Sequence, residues 1–186
     1  MSIDSNVKEQ GGDYKIGGND NKWRFDLATL TDSGRSAVSI AILAQSIHLA
    51  WGNGDVAWDA SQAPESSAAS ALIAEVGRRR VTQALYCKPD PGGELVVTEG
   101  RFTVSQTPTK YLYLRFAFEF ADAADQDIRE LGVFIGTTVK SLVPANQHYL
   151  LPSDIELPGQ LLVLEHIQKL VRSLQVRQQF EFVVQF

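Results

Sequence analysis

Cysteine is all but missing from this chain: Cys87 stands alone in 186 residues. One cysteine admits no internal disulfide and fits a reducing compartment. With no activating neighbour in the sequence, Cys87 reads as a small, semi-buried strand residue and not as a nucleophile. Histidine is scarce too. His48, His148 and His166 stand singly, without the H-x-H or H-x-x-x-H spacing of a metal site, so no metal or other cofactor is expected. There is no basic excess. The 17 Lys and Arg are outnumbered by 22 Asp and Glu, for a net charge of −5, which argues against wrapping nucleic acid. No apolar run approaches the ~18 residues of a membrane span. The opening MSIDSNVKEQGGDYK carries acids and no apolar core, so no signal peptide is expected.

What is present suits a globular chain. Hydrophobic residues make up 44% of it, and a chain of this length buries roughly 70% of its unfolded surface without metal or disulfide. Residues 1–21 are polar, with two Gly-Gly pairs, and read as a flexible or partner-ordered arm. Residues 22–186 read as a single β-rich domain that opens on a short strand, KWRFDL. Thr31 or Asp32 is placed to cap a helix, because a short side-chain oxygen satisfies amides that lack a helical partner. Ala37, Ile40, Ala41 and Ala44 then share its face. IHLAW follows as a strand. A second short helix is expected over SSAASALIAEV, opened by Pro64 and stopped by Gly77.

The remainder points to strands. The Pro-Gly-Gly at 91–93 predicts a hairpin. In YLYLRFAFEF, Leu112, Leu114, Phe116, Phe118 and Phe120 alternate with Tyr111, Tyr113, Arg115, Ala117 and Glu119, the period of a strand with one buried side. Phe180, Phe182, Val184 and Phe186 repeat that pattern, which predicts a last strand inside the sheet. QLLVLEHIQKLVRSLQV, residues 160–176, fits either period; its β-rich surroundings favour strands. The fold class is therefore α+β and β-dominated: an antiparallel sheet or sandwich with two short helices and an extended N-terminal arm.

The most pointed stretch is HLAWGNGDVAWD, residues 48–59. It has no lysine to reach a phosphate, and Ala57 stands where a dinucleotide fingerprint needs its third glycine. Asp55 and Asp59 would have to form an acid–base pair against an apolar wall to do chemistry, and exposed turn acids are the commoner case. The stretch reads as a corner whose glycines take backbone angles other residues avoid. No catalytic residue is expected, and the chain reads as a non-enzyme. Trp51, Trp58, Arg78, Arg79, Arg80, Tyr111 and Tyr113 are the expected contact residues, since exposed aromatics and arginines concentrate at interfaces. Glu130, in the strand IRELGVF, is costly to bury unpaired and is expected to bond one of the three arginines.

The order of the segments carries a resemblance. TDSGRSAVSIAILAQSIHLAWGNG, then AWDASQAPESSAASALIAEVGRRRVTQALY, then FADAADQDIRELGVF, and finally LPGQLLVL with FEFVVQF, together resemble bacteriophage tail and tail-collar-like structural proteins over roughly residues 30–186. The resemblance implies a structural virion component: a baseplate protein joining tube, sheath or fibres through protein–protein contacts. It implies other tail or baseplate proteins as partners, several copies in a symmetric assembly, and assembly in the host cytoplasm into the virion tail. The alternative is a tail-fibre-associated module that binds a carbohydrate or receptor, with the Trp turn and the tyrosines as a stacking platform.

Overall fold

The structure, a computed structural model, describes residues 28–186. The arm expected over 1–21 and the strand expected at KWRFDL lie outside the described residues. Helix α1 (Asp32–Leu43) starts where the sequence places it: Thr31 is the N-cap, and its hydroxyl accepts from the Gly34 amide at 3.1 Å. Ser39 and Ile42 are its buried residues, and the Ser39 hydroxyl donates to the Thr109 carbonyl at 2.6 Å.

Two five-stranded antiparallel sheets follow. The first has the order β11 (Gln160–Val171), β7 (Asp127–Ile135), β1 (Ile47–Gly52), β2 (Glu75–Arg80), β9 (Tyr149–Leu150). The second has the order β12 (Gln178–Gln185), β6 (Tyr111–Phe118), β3 (Gln83–Pro89), β5 (Gly100–Val104), β4 (Leu95–Val97). A short ribbon of β8 (Thr138–Val139) and β10 (Ile155–Leu157) extends from the end of β7. The sheets face each other across one core. Ile47, Leu49 and Trp51 of β1 and Leu131, Val133 and Ile135 of β7 meet Leu112, Leu114, Phe116 and Phe118 of β6. Strand periodicity puts alternate residues of each strand into that layer. The ambiguous segment 160–176 resolves as strand β11 and the turn that follows it.

Both outer faces are covered as well. Residues 53–74 lie over the outer face of the first sheet, where Leu72 packs with Ala50 and Phe134. Strands β4 and β5 fold over the second, where Phe102 packs with Cys87 and Tyr113. This explains why every residue of β1 is buried.

Two expectations are corrected. Among the described residues there is one α-helix, not two: SSAASALIAEV is bends and turns running into β2. Its backbone groups find tertiary partners. The amides of Ile73 and Ala74 go to Glu130, and the Ala74 carbonyl accepts from the Asn53 amide at 2.9 Å. Gly77 is not a helix stop but a strand residue whose missing Cβ leaves room for the Tyr149 phenol. The Pro-Gly-Gly turn at 91–93 lies between antiparallel partners as expected: β3 pairs with β5, and β4 folds back on the other edge of β5. The last strand, β12, lies at the edge of its sheet. It pairs along its length with β6, register Gln178↔Phe118 to Gln185↔Tyr111, so it is anchored without being central.

Candidate functional site

The Trp-flanked corner is built from the inside outward. Gly52 ends β1 beside the Glu130 carboxylate, and a Cβ there would lie 2.5 Å from Glu130 Oε1 and 2.7 Å from the Ala74 carbonyl oxygen. Gly54 has φ +57°, and the Trp58 ring lies where its Cβ would be. Only glycine combines that angle with that approach. Asp55 caps the short turn Val56–Asp59 by accepting from the Ala57 amide at 2.9 Å. Asp59 takes a two-pronged ion pair from buried Arg129, at 2.6 and 2.9 Å, with Lys169 at 3.3 Å. The Arg129 hydrogen bond holds the Asp59 carboxyl down at about 2. An acid held ionised by two cations is the opposite of a proton donor. Asp55 and Asp59 therefore have structural partners instead of forming a catalytic pair, and the corner is architecture.

The same covering segment closes off a sheet edge. Trp58 stacks on His166, ring centroids 4.1 Å apart. Glu65 accepts from the His166 amide at 3.0 Å, and the Gln62 side chain donates to the His166 carbonyl. Strand β11 is the outermost strand of its sheet. Its free amide and carbonyl at His166 are thus held by side chains, which denies them to an incoming strand.

The seven expected contact residues divide sharply. Trp51, Arg78 and Tyr113 are core residues, a correction to their expected place at an interface. Trp51 stacks on Phe118 with centroids 3.7 Å apart, and its indole N–H donates to the Tyr149 hydroxyl at 3.1 Å. Arg78 grips Glu75 with two bonds of 2.7 Å, donates to Thr137 and to the Pro158 carbonyl, and lies over the Phe134 ring. Tyr113 is roofed by β4 and β5. Trp58 and Tyr111 are half-buried; Arg79 is half-buried and bound to Asp122; Arg80 is exposed. Glu130 does not meet an arginine. It is fully buried and accepts from the Ile73 and Ala74 amides at 3.1 and 2.9 Å. Cys87 is buried, which pushes its thiol up to about 11 and makes it a packing residue. With Trp51 and Tyr113 interior, the stacking platform of the alternative reading is not formed.

His48 carries a testable consequence of burial. It is 4% exposed, and desolvation, with Arg78 and Arg80 adding repulsion, lowers its ring from 6.5 to about 4. The native ring stays neutral where the unfolded one takes up a proton. Stability is therefore constant above pH 6.5 and falls as pH drops toward 4, in total by about 3 kcal/mol at 1.36 kcal/mol per unit. Urea titrations across that range should show the slope, and His48→Gln should flatten it; an unchanged slope in the variant refutes the assignment.

Several large apolar side chains are also exposed, at positions the sequence reading missed. Leu142 is 94% exposed within the lobe 138–157, and Leu151 and Leu157 of the same lobe are exposed too. At the turn between β11 and β12, Val171, Leu174 and Val176 are exposed, Leu174 at 60%. The register fixes where these groups sit. The lobe follows Ile135, which pairs with Ile47 and Gln160, whereas Val171 pairs with Asp127 at the other end of β7. The two apolar groups thus stand at opposite ends of the first sheet. The signal for the first was a leucine and a valine inside SLVPANQ, a segment otherwise made of turn residues. Among the described residues, no group of three or more His, Cys, Asp or Glu is placed to hold a metal ion, and no helix is long and apolar enough to cross a membrane.

No curated protein matches the chain. A family model described as "Baseplate wedge 3 tail fiber network component" matches residues 27–186. That family is a baseplate one; a tail-collar-like family is not what the match names. The matched span takes in both sheets, the covering segment and both exposed ends, and the chain belongs to the baseplate wedge 3 tail fiber network component family, as a structural component of a phage tail baseplate.

Proposed function

We propose that this protein is a passive connector in the baseplate wedge, joining one neighbour at each end of its first sheet and performing no chemistry. The observation that carries this reading is that Leu142, the most exposed large apolar side chain among the described residues, lies in the lobe that follows one end of β7, while Val171, Leu174 and Val176 are exposed together at the other end. Large exposed apolar groups on a folded surface mark places where another protein is to be covered or bound. Between the ends, the polar groups face inward to one another: Arg129 with Asp59, Arg79 with Asp122, Arg78 with Glu75. Residues 28–186 act as one domain, because both sheets share one core. The chain takes its place in several copies around the symmetric baseplate, and assembly occurs in the host cytoplasm. The motif order further supports kinship with tail-collar-like proteins.

Co-expression of the full chain with the other baseplate proteins, followed by purification of the complex, tests the reading. Leu142→Asp should release one neighbour and Leu174→Asp a different one. Each variant should keep the partner at the other end, since a charge placed in an apolar contact costs several-fold to a hundredfold in affinity. Retention of all neighbours by both variants, or loss of both neighbours from either one, defeats it.

A further inference from the structure

At the end of the first sheet that bears the lobe 138–157, a cavity of about 220 Å³ opens between β1, β2 and the lobe. Its polar wall is Ser46, His48, Arg80, Thr137, Gln147 and His148, and its apolar wall includes Val139 and Pro144. No carboxylate lines it. Asp154, the acid nearest in sequence to this lining, already accepts from the Leu151 amide and the Gln147 side chain. Register places Arg80 directly opposite His48 across β1 and β2, on the same side of the sheet.

Among the described residues no side-chain hydrogen bond is made by His48 Nδ1, which is out of contact with solvent. An orphaned lone pair is tolerated in a protein interior more readily than an orphaned N–H, so the ring proton belongs on Nε2. The neutral ring then offers one N–H at the cavity wall, beside the guanidinium of Arg80. Two donors, one of them a fixed cation, with no acid to neutralise them, make a receptor for an anionic acceptor. The volume falls below the ~300 Å³ at which pockets for whole small molecules begin; it suits a single side chain. Val139, Val143, Pro144, Ala145 and Leu150 give the cavity an apolar side next to the polar anchor point of His48 and Arg80.

We propose that this cavity receives the carboxylate side chain of an acidic residue on the neighbouring baseplate protein that covers the lobe. The assignment rests on the connector reading for its partner, and it deepens that reading by naming what the partner must present.

The test has two arms. In the first, the isolated full chain is titrated with N-acetyl-glutamate α-amide, whose only charge is the side-chain carboxylate, and with the glutamine counterpart, while the His48 ring signals are followed by NMR. Saturable shifts of His48 with the glutamate probe, at least tenfold weaker with the glutamine probe and in Arg80→Gln, are expected. Equal response to both probes, or no shift at His48, overturns the assignment. Arg80 is exposed, so its replacement leaves the fold intact. In the second arm, Arg80→Glu is carried through the co-purification experiment. It should release the same neighbour that Leu142→Asp releases. Retention of that neighbour by Arg80→Glu, when Leu142→Asp loses it, sinks the carboxylate pocket and leaves the connector standing; retention by both variants sinks the connector contact itself.

Discussion

Replacing Glu130 with alanine should destabilise the protein by about 4 kcal/mol, because a hydrogen bond to a charged group contributes ~1.5–3 kcal/mol and two are lost together. The carboxylate is fully buried, and its two oxygens hold the amides of Ile73 and Ala74. Alanine leaves both amides without partners and opens a void beside Gly52, whose missing Cβ exists to admit this side chain. Glu130→Gln keeps one acceptor but turns an NH₂ toward the second amide, so roughly half the loss is expected. The urea midpoint measures the effect, and hydrogen exchange locates it: the Ile73 and Ala74 amides should lose protection before the amides of β7. A loss under about 1 kcal/mol in the alanine variant would mean that the covering segment is held without this carboxylate.

The second large effect belongs to Trp51. Truncation of a buried tryptophan costs about 3–5 kcal/mol. Trp51→Ala belongs near the upper end, because more than area is lost. The ring stacks on Phe118, meets Phe180 and Tyr149 at their edges, lies under the Arg172 guanidinium and donates to the Tyr149 hydroxyl. Removal empties the contact between the two sheets and leaves the Tyr149 hydroxyl without the donor it now has. At 2–4 °C per kcal/mol for a domain of this size, the melting temperature should fall by roughly 10 °C or more. Trp51→Phe fills most of the volume and should cost about half as much. A thermal shift of only two or three degrees for the alanine variant would show that the sheets do not depend on this residue.

Elements with an internal signature were legible in the sequence. The cap at Thr31 marks the start of α1, and alternation gives β6 and β12, but the helix face read from Ala37, Ile40, Ala41 and Ala44 is exposed, and Ser39 and Ile42 are the residues the helix buries. Alternation states which residues share a face; it does not state what lies over that face. Tyr113 and Tyr111 shared the side of β6 read as open, yet β4 and β5 cover that side and bury Tyr113. The failure at SSAASALIAEV is of another kind. Its residues have helical propensity, but the amides of Ile73 and Ala74 are claimed by a carboxylate more than fifty residues away in sequence, and no local pattern encodes that. The three arginines, one block in sequence, take three separate environments because alternate strand residues face opposite ways and β2 runs from the interior to a solvent-exposed end. The structural role in a tail was legible from segment order, whereas the surfaces that serve it were not. Leu142 and Leu174 sit in turns, where single leucines carry no periodic signal.

The placement of the two exposed ends has a mechanical consequence. Strand β7 spans the distance between them, nine residues or about 30 Å of extended chain. A pull applied between those ends runs parallel to the strands. It loads the ladders that join β7 to β1 and β11 in shear, so that many rungs bear the force at once, where a sideways pull would unzip them singly. In the connector reading proposed above, a body of this kind would pass a tug from one neighbour to the next with little stretch.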